Sequence, residues 1–306
     1  SAPNWQPLLR SDRDEAVGEF GIPYTLVTPV GTLSFNPAGG DGYYLSGIEG
    51  LDGGHVRAVV ENLPGVDGAI VQSLRRGGAF PVLSGYLLAS AVSTRRSLED
   101  DLRSRIDSIR SADGTLKFTP SGTSQRRMTV RLLEPIRIAG GFLKTFTLAL
   151  VATDPVAYSE TQQTVDTSAL TSGAGGSFTF PFSFPLSFGS ASGGGTATAT
   201  NSGNLETLPT IRVFGQITAP IVKNETTGKQ LSFPGLTLLA GEFMDVDCKA
   251  KTALLNGSSE NSLLGKLDIG VSEFWALSVG ANSIRLLGSG FDAAAKARLT
   301  FRDAFA

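Results

Sequence analysis

The sequence predicts an all-β protein with one amphipathic helix, organised as two β-sandwich domains. Three observations carry this expectation. Short apolar–polar alternations recur between turn residues, and the chain holds 37 Gly and 15 Pro among 306 residues, a density of turns that suits short strands better than long helices. A single segment repeats at helical period. Between residues 159 and 200 Lys and Arg vanish while Gly and Ser dominate, which divides the chain into two stretches of domain size.

The elements follow in order. Residues 1–20 are polar and acidic (Asp12, Asp14, Glu15, Glu19) with Pro3 and Pro7, and read as an arm that needs a partner to hold it. Strands are expected at Tyr24–Val27 and Gly31–Phe35, then at Tyr43–Leu45 after the turn cluster Asn36–Gly42, and at Val56–Val60, Ala69–Val71 and Tyr86–Val92. Leu98, Leu102, Ile106 and Ile109 form an apolar stripe at helical spacing. They predict a helix near 95–110, with Ser97 and Asp100 as a capping box or Thr94 as the cap, and Glu99–Arg103 and Asp101–Arg105 as i,i+4 pairs. The acids Glu99, Asp100 and Asp101 read as complements to the helix dipole. Further strands are expected at Leu116–Phe118, Met128–Leu132, Ile136–Ile138 and Phe142–Ala152, closing the first domain at 1–158.

Residues 159–200 read as a connector. Its tract Phe178–Phe188 alternates Phe with Pro and Ser, too aromatic for a disordered linker and too Pro-rich for a central strand. The second domain, 201–306, has strands expected at Ile211–Phe214, Lys229–Phe233, Leu236–Leu239, Phe243–Cys248, Ala253–Leu255, Phe274–Leu277, Ser283–Leu287 and Ala297–Phe301. Turns every eight to twelve residues or so are the mark of a sandwich.

Composition excludes several function classes. The net charge of −2 argues against sequence-specific nucleic-acid binding. That charge is blocked: residues 1–69 carry 3 basic and 9 acidic side chains, 70–150 carry 13 and 6, and 202–306 carry 10 and 10. A single Cys allows no internal disulfide framework. No apolar run approaches the ~18 residues that cross a bilayer, and no basic-then-apolar leader opens the sequence, so neither membrane insertion nor a signal peptide is expected.

Chemistry is equally sparse. A Ser-His-Asp site would need His55, the one His, and no nucleophile-elbow motif accompanies it. Zinc would need more ligands than His55 and Cys248 supply. Cys248 follows Met244 and Val246 at period two, which places it on a core face and leaves Asp245 and Asp247 on the opposite, solvent face. Those two carboxylates are the only candidates for calcium or a glycosidase pair, and no ligand-rich loop accompanies them. Catalytic, cofactor and metal residues are therefore expected to be none. Trp275, Phe274 and Tyr158 are the aromatics that a sugar would stack on, with Trp275 in a core as the competing reading.

The most specific stretch is Asn201–Lys229. It runs from an Asn-Ser-Gly turn through Pro209, the alternating strand Thr210–Phe214, Gly215 and Pro220 to an Asn224-Glu225-Thr226-Thr227-Gly228 turn. Together with Gly50–Gly54, Pro64–Gly68, the helix at Arg95–Arg110, Leu148–Pro155, Gly241–Asp247, Leu254–Gly257, Val279–Ile284 and Phe301–Asp303, in that order and spacing, it resembles the distal tail proteins of long-tailed phages (siphoviruses). The resemblance implies an N-terminal domain of tail-tube type and a C-terminal galectin-like sandwich. It also implies a structural role in the virion, at the distal end of the tail: a minor tail protein whose hexameric ring joins the tail tube to the tail tip or baseplate. Its implied partners are further copies of itself, the tail tube protein, the tape measure protein and the tail-tip hub protein, and it implies no enzyme activity. The alternative is a carbohydrate-binding module acting in attachment to the host surface.

Overall fold

The computed structural model describes residues 24–51, 56–62, 67, 69–120, 123–141, 143–170 and 195–306. The predicted arm at 1–20, His55 and the Phe178–Phe188 tract lie outside the described residues. The chain divides into two compact units, Ser1–Glu160 with Ala306, and Thr161–Phe305.

The first unit is built from β1 (Tyr24–Thr28), β2 (Gly31–Phe35), β3 (Gly42–Glu49), β4 (Val56–Asn62), β5 (Ala69–Arg76), β6 (Val82–Leu88), helix α1 (Val92–Ser108), β7 (Gly114–Phe118), β8 (Arg126–Leu132), β9 (Arg137–Ala139), β10 (Lys144–Val151) and β11 (Ala157–Ser159). Alternation drives the strands. In β10 Phe146, Leu148 and Leu150 are buried while Thr145 and Thr147 face out, and Leu26, Leu33, Leu83 and Leu116 on four other strands are likewise inaccessible to solvent. The strands run β11-β8-β7-β1-β2-β3-β6-β10-β9. β10 also pairs with β8, at Leu150↔Leu132 and Val151↔Arg131, so the sheet closes on itself. Closure satisfies backbone groups that an open edge would leave bare. Strands β4 and β5 form a separate two-stranded hairpin.

Helix α1 packs on β1, β2 and β6. Leu102, Ile106 and Ile109 of the expected stripe are all at 0% exposure, and Leu98 is half-buried. Tyr43 Oη sits 3.0 Å from both the Leu98 carbonyl oxygen and Asp101 Oδ2 and shares its proton between them. Arg105 donates to Asp101 Oδ1 at 2.7 Å and to the Thr32 carbonyl at 2.8 Å, tying the helix to β2.

The start of α1 differs from expectation. The helix begins at Val92 with Ala91 as a cap that makes no side-chain hydrogen bond, so Thr94, Ser97 and Asp100 lie inside it. The chain is aimed before the helix: Asp41 accepts from the Ser90 amide at 2.6 Å and from its hydroxyl at 2.8 Å. That clamp makes a capping box unnecessary. The three acids consequently lie mid-helix and not in the first turn. Asp101 takes Arg105 as expected, whereas Glu99 faces Lys144 at 3.8 Å in place of Arg103.

The second unit holds β12 (Gln163–Asp166), β13 (Gly195–Asn201), β14 (Thr210–Phe214), β15 (Ile217–Asn224), β16 (Gln230–Ser232), β17 (Thr237–Leu238), β18 (Phe243–Asp247), β19 (Thr252–Leu255), β20 (Gly280–Ser289), β21 (Lys296–Phe301) and β22 (Ala304–Phe305). Two sheets face each other, β12-β21-β14-β18-β19 and β13-β20-β15-β16 with β17 on β15. Their inner faces supply one core, with Ile211, Val213, Leu231, Phe233, Met244 and Leu286 among its members. The expected Asn-Glu-Thr-Thr-Gly turn joins β15 to β16. Asn224 Oδ1 accepts from the Thr226 and Thr227 amides at 3.0 and 3.2 Å, and Gly228 takes φ 75°, where a side chain would be strained.

Two expectations are corrected here. The stretch 159–200 is no mere connector: β12 pairs with β21 over Gln163–Asp166, and β13 pairs with β20 over Gly195–Asn201. β12 is only four residues long and β13 alternates Thr with Ala and holds no Val or Ile, so each is a weak local signal, and pairing with β21 and β20, far along the chain, holds them. Residues 274–277 form no strand. Three buried Asn side chains hold this crossing segment instead: Asn201 donates to the Leu277 carbonyl at 3.3 Å, Asn224 to Ala276 at 3.4 Å, and Asn282 to Ser278 at 2.8 Å. Leu277 also exchanges both backbone hydrogen bonds with Thr207, at 2.7 and 3.1 Å, as an isolated bridge, and the side-chain amides supplement it.

Candidate functional site

The outer face of the β12–β19 sheet carries the densest polar arrangement of the second unit. Register sets it in rows. Asp166, Arg298, Arg212, Asp245 and Leu254 are successive cross-strand partners on β12, β21, β14, β18 and β19. Beside them Thr164, Thr300, Thr210, Asp247 and Thr252 form a second row. Residues of the two rows, with Gln162 and Gly257, line an open concavity of about 490 Å³.

Two arginines directly opposite each other repel, and each is drawn outward by its own carboxylate. Arg212 donates to Asp245 at 2.6 and 2.8 Å, and Arg298 donates to Asp166 at 2.7 and 2.9 Å. Both are two-pronged contacts, the geometry that a planar guanidinium favours. The Arg298 hydrogen bond, with help from Lys296 and against a smaller desolvation cost, holds the Asp166 carboxyl well below the usual carboxylate range. Arg212 also lies 4.2 Å from the Phe243 ring centroid, and Arg298 lies 5.5 Å from that of Phe214. The four charges of the row are thus paired within the face. Chemically it offers hydroxyls, carboxylate lone pairs and the remaining guanidinium protons to a polar ligand.

The residues singled out from sequence fall as follows. Asp245 and Asp247 do share the solvent face, but Asp245 is committed to Arg212, and Asp247 accepts the Lys249 and Ala250 amides in the β18–β19 turn, both at 2.8 Å. Among the described residues no cluster of three or more His, Cys, Asp or Glu could hold a metal ion. Cys248 is buried on the core side, and burial pushes its thiol up to about 12. Trp275 is 1% exposed and is core, so it is not available for stacking on a sugar. Phe274 packs against the same core. Tyr158 belongs to the first unit, where its hydroxyl donates to Asp154 at 2.8 Å, and burial raises its pKa. The Asp–Arg–Arg–Asp row escaped sequence reading. Its only sequence signal is a charged residue at the outward position of each alternating strand, and the sequence does not say which strands are neighbours.

Residues 202–305 match the family described as siphovirus-type tail component, C-terminal domain, which bears out the resemblance read from sequence. In fold the chain is similar to the Dit protein of phage SPP1, described as a paradigm of the hub adsorption apparatus in phages infecting Gram-positive bacteria. The two share 15% identity at a TM-score of 0.62, over 92% of this chain and 99% of that one. A chain of the phage P2 baseplate in its activated conformation with Ca is similar at 9% identity and a TM-score of 0.49, over 91% of this chain and 97% of that one. No curated protein matches the chain. Among the described residues no helix is long and apolar enough to cross a membrane.

Proposed function

We propose that this chain is a structural protein of a siphovirus virion, placed at the distal end of the tail, with no enzymatic role. The family match over residues 202–305 carries this reading, and the fold likeness to SPP1 Dit supports it. In this reading the first domain assembles into a closed ring of copies, a hexamer by family resemblance. The ring joins the tail tube to the tip or baseplate, in contact with the tube, tape measure and hub proteins, and the second domain is peripheral to it. The opposed charge of residues 1–69 and 70–150 suits a ring in which each copy presents one block to the next. Native mass spectrometry of the purified chain, with negative-stain imaging, tests the ring. Six-fold particles are expected, and a single-chain mass at high protein concentration and moderate salt refutes it.

A second reading is saccharide binding by the second unit. The Asp166–Arg298–Arg212–Asp245 row and its neighbouring Thr row favour it, because fixed carboxylates and guanidinium groups suit vicinal hydroxyls. Its test is a glycan array with the full chain. Binding abolished by Arg212→Ala supports it, and an empty array removes it.

A further inference from the structure

The outward face of α1 is patterned, and the proposed ring does not account for that pattern. Arg96, Asp100, Arg103 and Asp107 are spaced 4, 3 and 4 residues apart, so they lie along one stripe of the helix. All four are exposed. They point away from the face that carries Leu102, Ile106 and Ile109, and Val92, 54% exposed, opens the same stripe. Among the described residues none of the four makes an ion pair, although Asp101–Arg105 on the flank of the same helix closes at 2.7 Å. Their i,i+4 order differs from that of Asp101–Arg105. Acid before base at i,i+4, as in Asp101–Arg105, is the favourable sense. Arg96–Asp100 and Arg103–Asp107 run base before acid, the poorer one. The stripe is therefore left as an alternating row of charges with unused capacity.

Alternation gives the row a specific property. Laid against a copy of itself in the opposite direction, centred between residues 101 and 102, each of these four charges meets its opposite, while Arg110, exposed beyond the last helical residue Ser108, stands opposite Ser93. Arg96 of one chain faces Asp107 of the other, and Asp100 faces Arg103, each contact occurring twice. A parallel copy in register sets like against like, and a shifted parallel copy leaves charges over at both ends. Only the antiparallel arrangement closes, and closure with each contact repeated is the signature of a two-fold axis.

We propose that α1 is a two-fold docking surface whose occupant is α1 of a second copy of this chain. The contact is electrostatic, since the four groups that face one another across it are all charged. It therefore serves reversible, salt-sensitive pairing, not a permanent interface. It is distinct from a ring contact, which is head-to-tail. In a ring-forming protein the α1 pairing joins copies of two rings, and in a protein that forms no ring it makes dimers.

Sedimentation velocity of the full chain over a concentration series tests this. At about 0.05 M salt the smallest assembly is expected to double as concentration rises, and at about 0.5 M salt the doubling is expected to weaken at least tenfold. Arg103→Asp sets Asp against Asp at two contacts, and Asp100→Arg sets Arg against Arg. Each single variant is expected to lose the doubling while keeping the parent's circular dichroism, because the positions are exposed. Two results would be hard to obtain otherwise. An equimolar mixture of the two variants regains pairing, and so does the double variant Asp100→Arg/Arg103→Asp, since both restore opposite charges across the axis. Doubling that ignores salt and both variants, absence of doubling at low salt, or failure of the mixture to pair each overturns the proposal. The ring reading fails separately, by the size of the unit that doubles.

Discussion

Leu102→Ala is expected to destabilise the first unit by about 3–5 kcal/mol. Leu102 is at 0% exposure in the middle of the α1 stripe, with Ile106 equally buried one turn on. The substitution removes three carbons, worth about 0.8 kcal/mol each in transfer alone. The cavity term raises this to the range of about 3–5 kcal/mol, because the helix cannot settle into the gap. Tyr43 and Arg105 hold α1 on two sides through bonds of 2.7–3.0 Å to Asp101, Leu98 and Thr32. For a domain of this size each kcal/mol moves the melting temperature by about 2–4 °C, which predicts a drop of about 6–20 °C. Differential scanning calorimetry of the full chain measures it. Two units with separate cores are expected to give two transitions, and exposure of the Cys248 thiol marks that of the second. Arg103→Ala, on the exposed stripe, is the control and is expected to stay within about 0.5 kcal/mol. Asp101 would be a poor control, since it accepts from both Tyr43 and Arg105. A shift below about 1 °C for Leu102→Ala, or a shift confined to the Cys248-marked transition, would refute the packing argument.

Three further outcomes are expected. Trp275 is buried with an indole N–H that has no partner among the described residues; Trp275→Phe removes an unsatisfied donor and should cost about 1 kcal/mol or less, whereas Trp275→Ala should cost about 3–5 kcal/mol by urea unfolding. The Asp166 carboxyl has a folded-state pKa lowered chiefly by Arg298, so its contribution is complete above the unfolded value of about 3.9 and is lost as pH falls below it. The melting-temperature gap between the parent and Asp166→Asn should therefore be constant from pH 7 to about pH 5 and shrink on further acidification; a gap that widens in acid contradicts the assignment. Burial raises the Cys248 thiol to about 12, so at pH 8 the folded chain should leave a thiol reagent unreacted and release one equivalent only in denaturant.

The sequence by itself determined the elements whose signal is local. The stripe Leu98, Leu102, Ile106 and Ile109 carried α1, because helical period is written in consecutive residues. The alternation of Ile211 with Val213, and of Met244, Val246 and Cys248, told the buried face of β14 and β18 from the open one. The Asn224–Gly228 turn announced the β15–β16 hairpin through side chains that bond their own backbone. Tertiary structure decided whatever depends on which distant segments meet. Asp41 and not a capping residue sets the start of α1. Strands β12 and β13 exist because β21 and β20 pair with them. The segment at 274–277 is held by three Asn amides, and Trp275 is core because two sheets close over it. Closure of the first sheet through β8 and β10 and the Asp166–Arg298–Arg212–Asp245 row share that origin. Each depends on register between strands remote in sequence, and an alternating pattern states which face of a strand is buried without naming its neighbour.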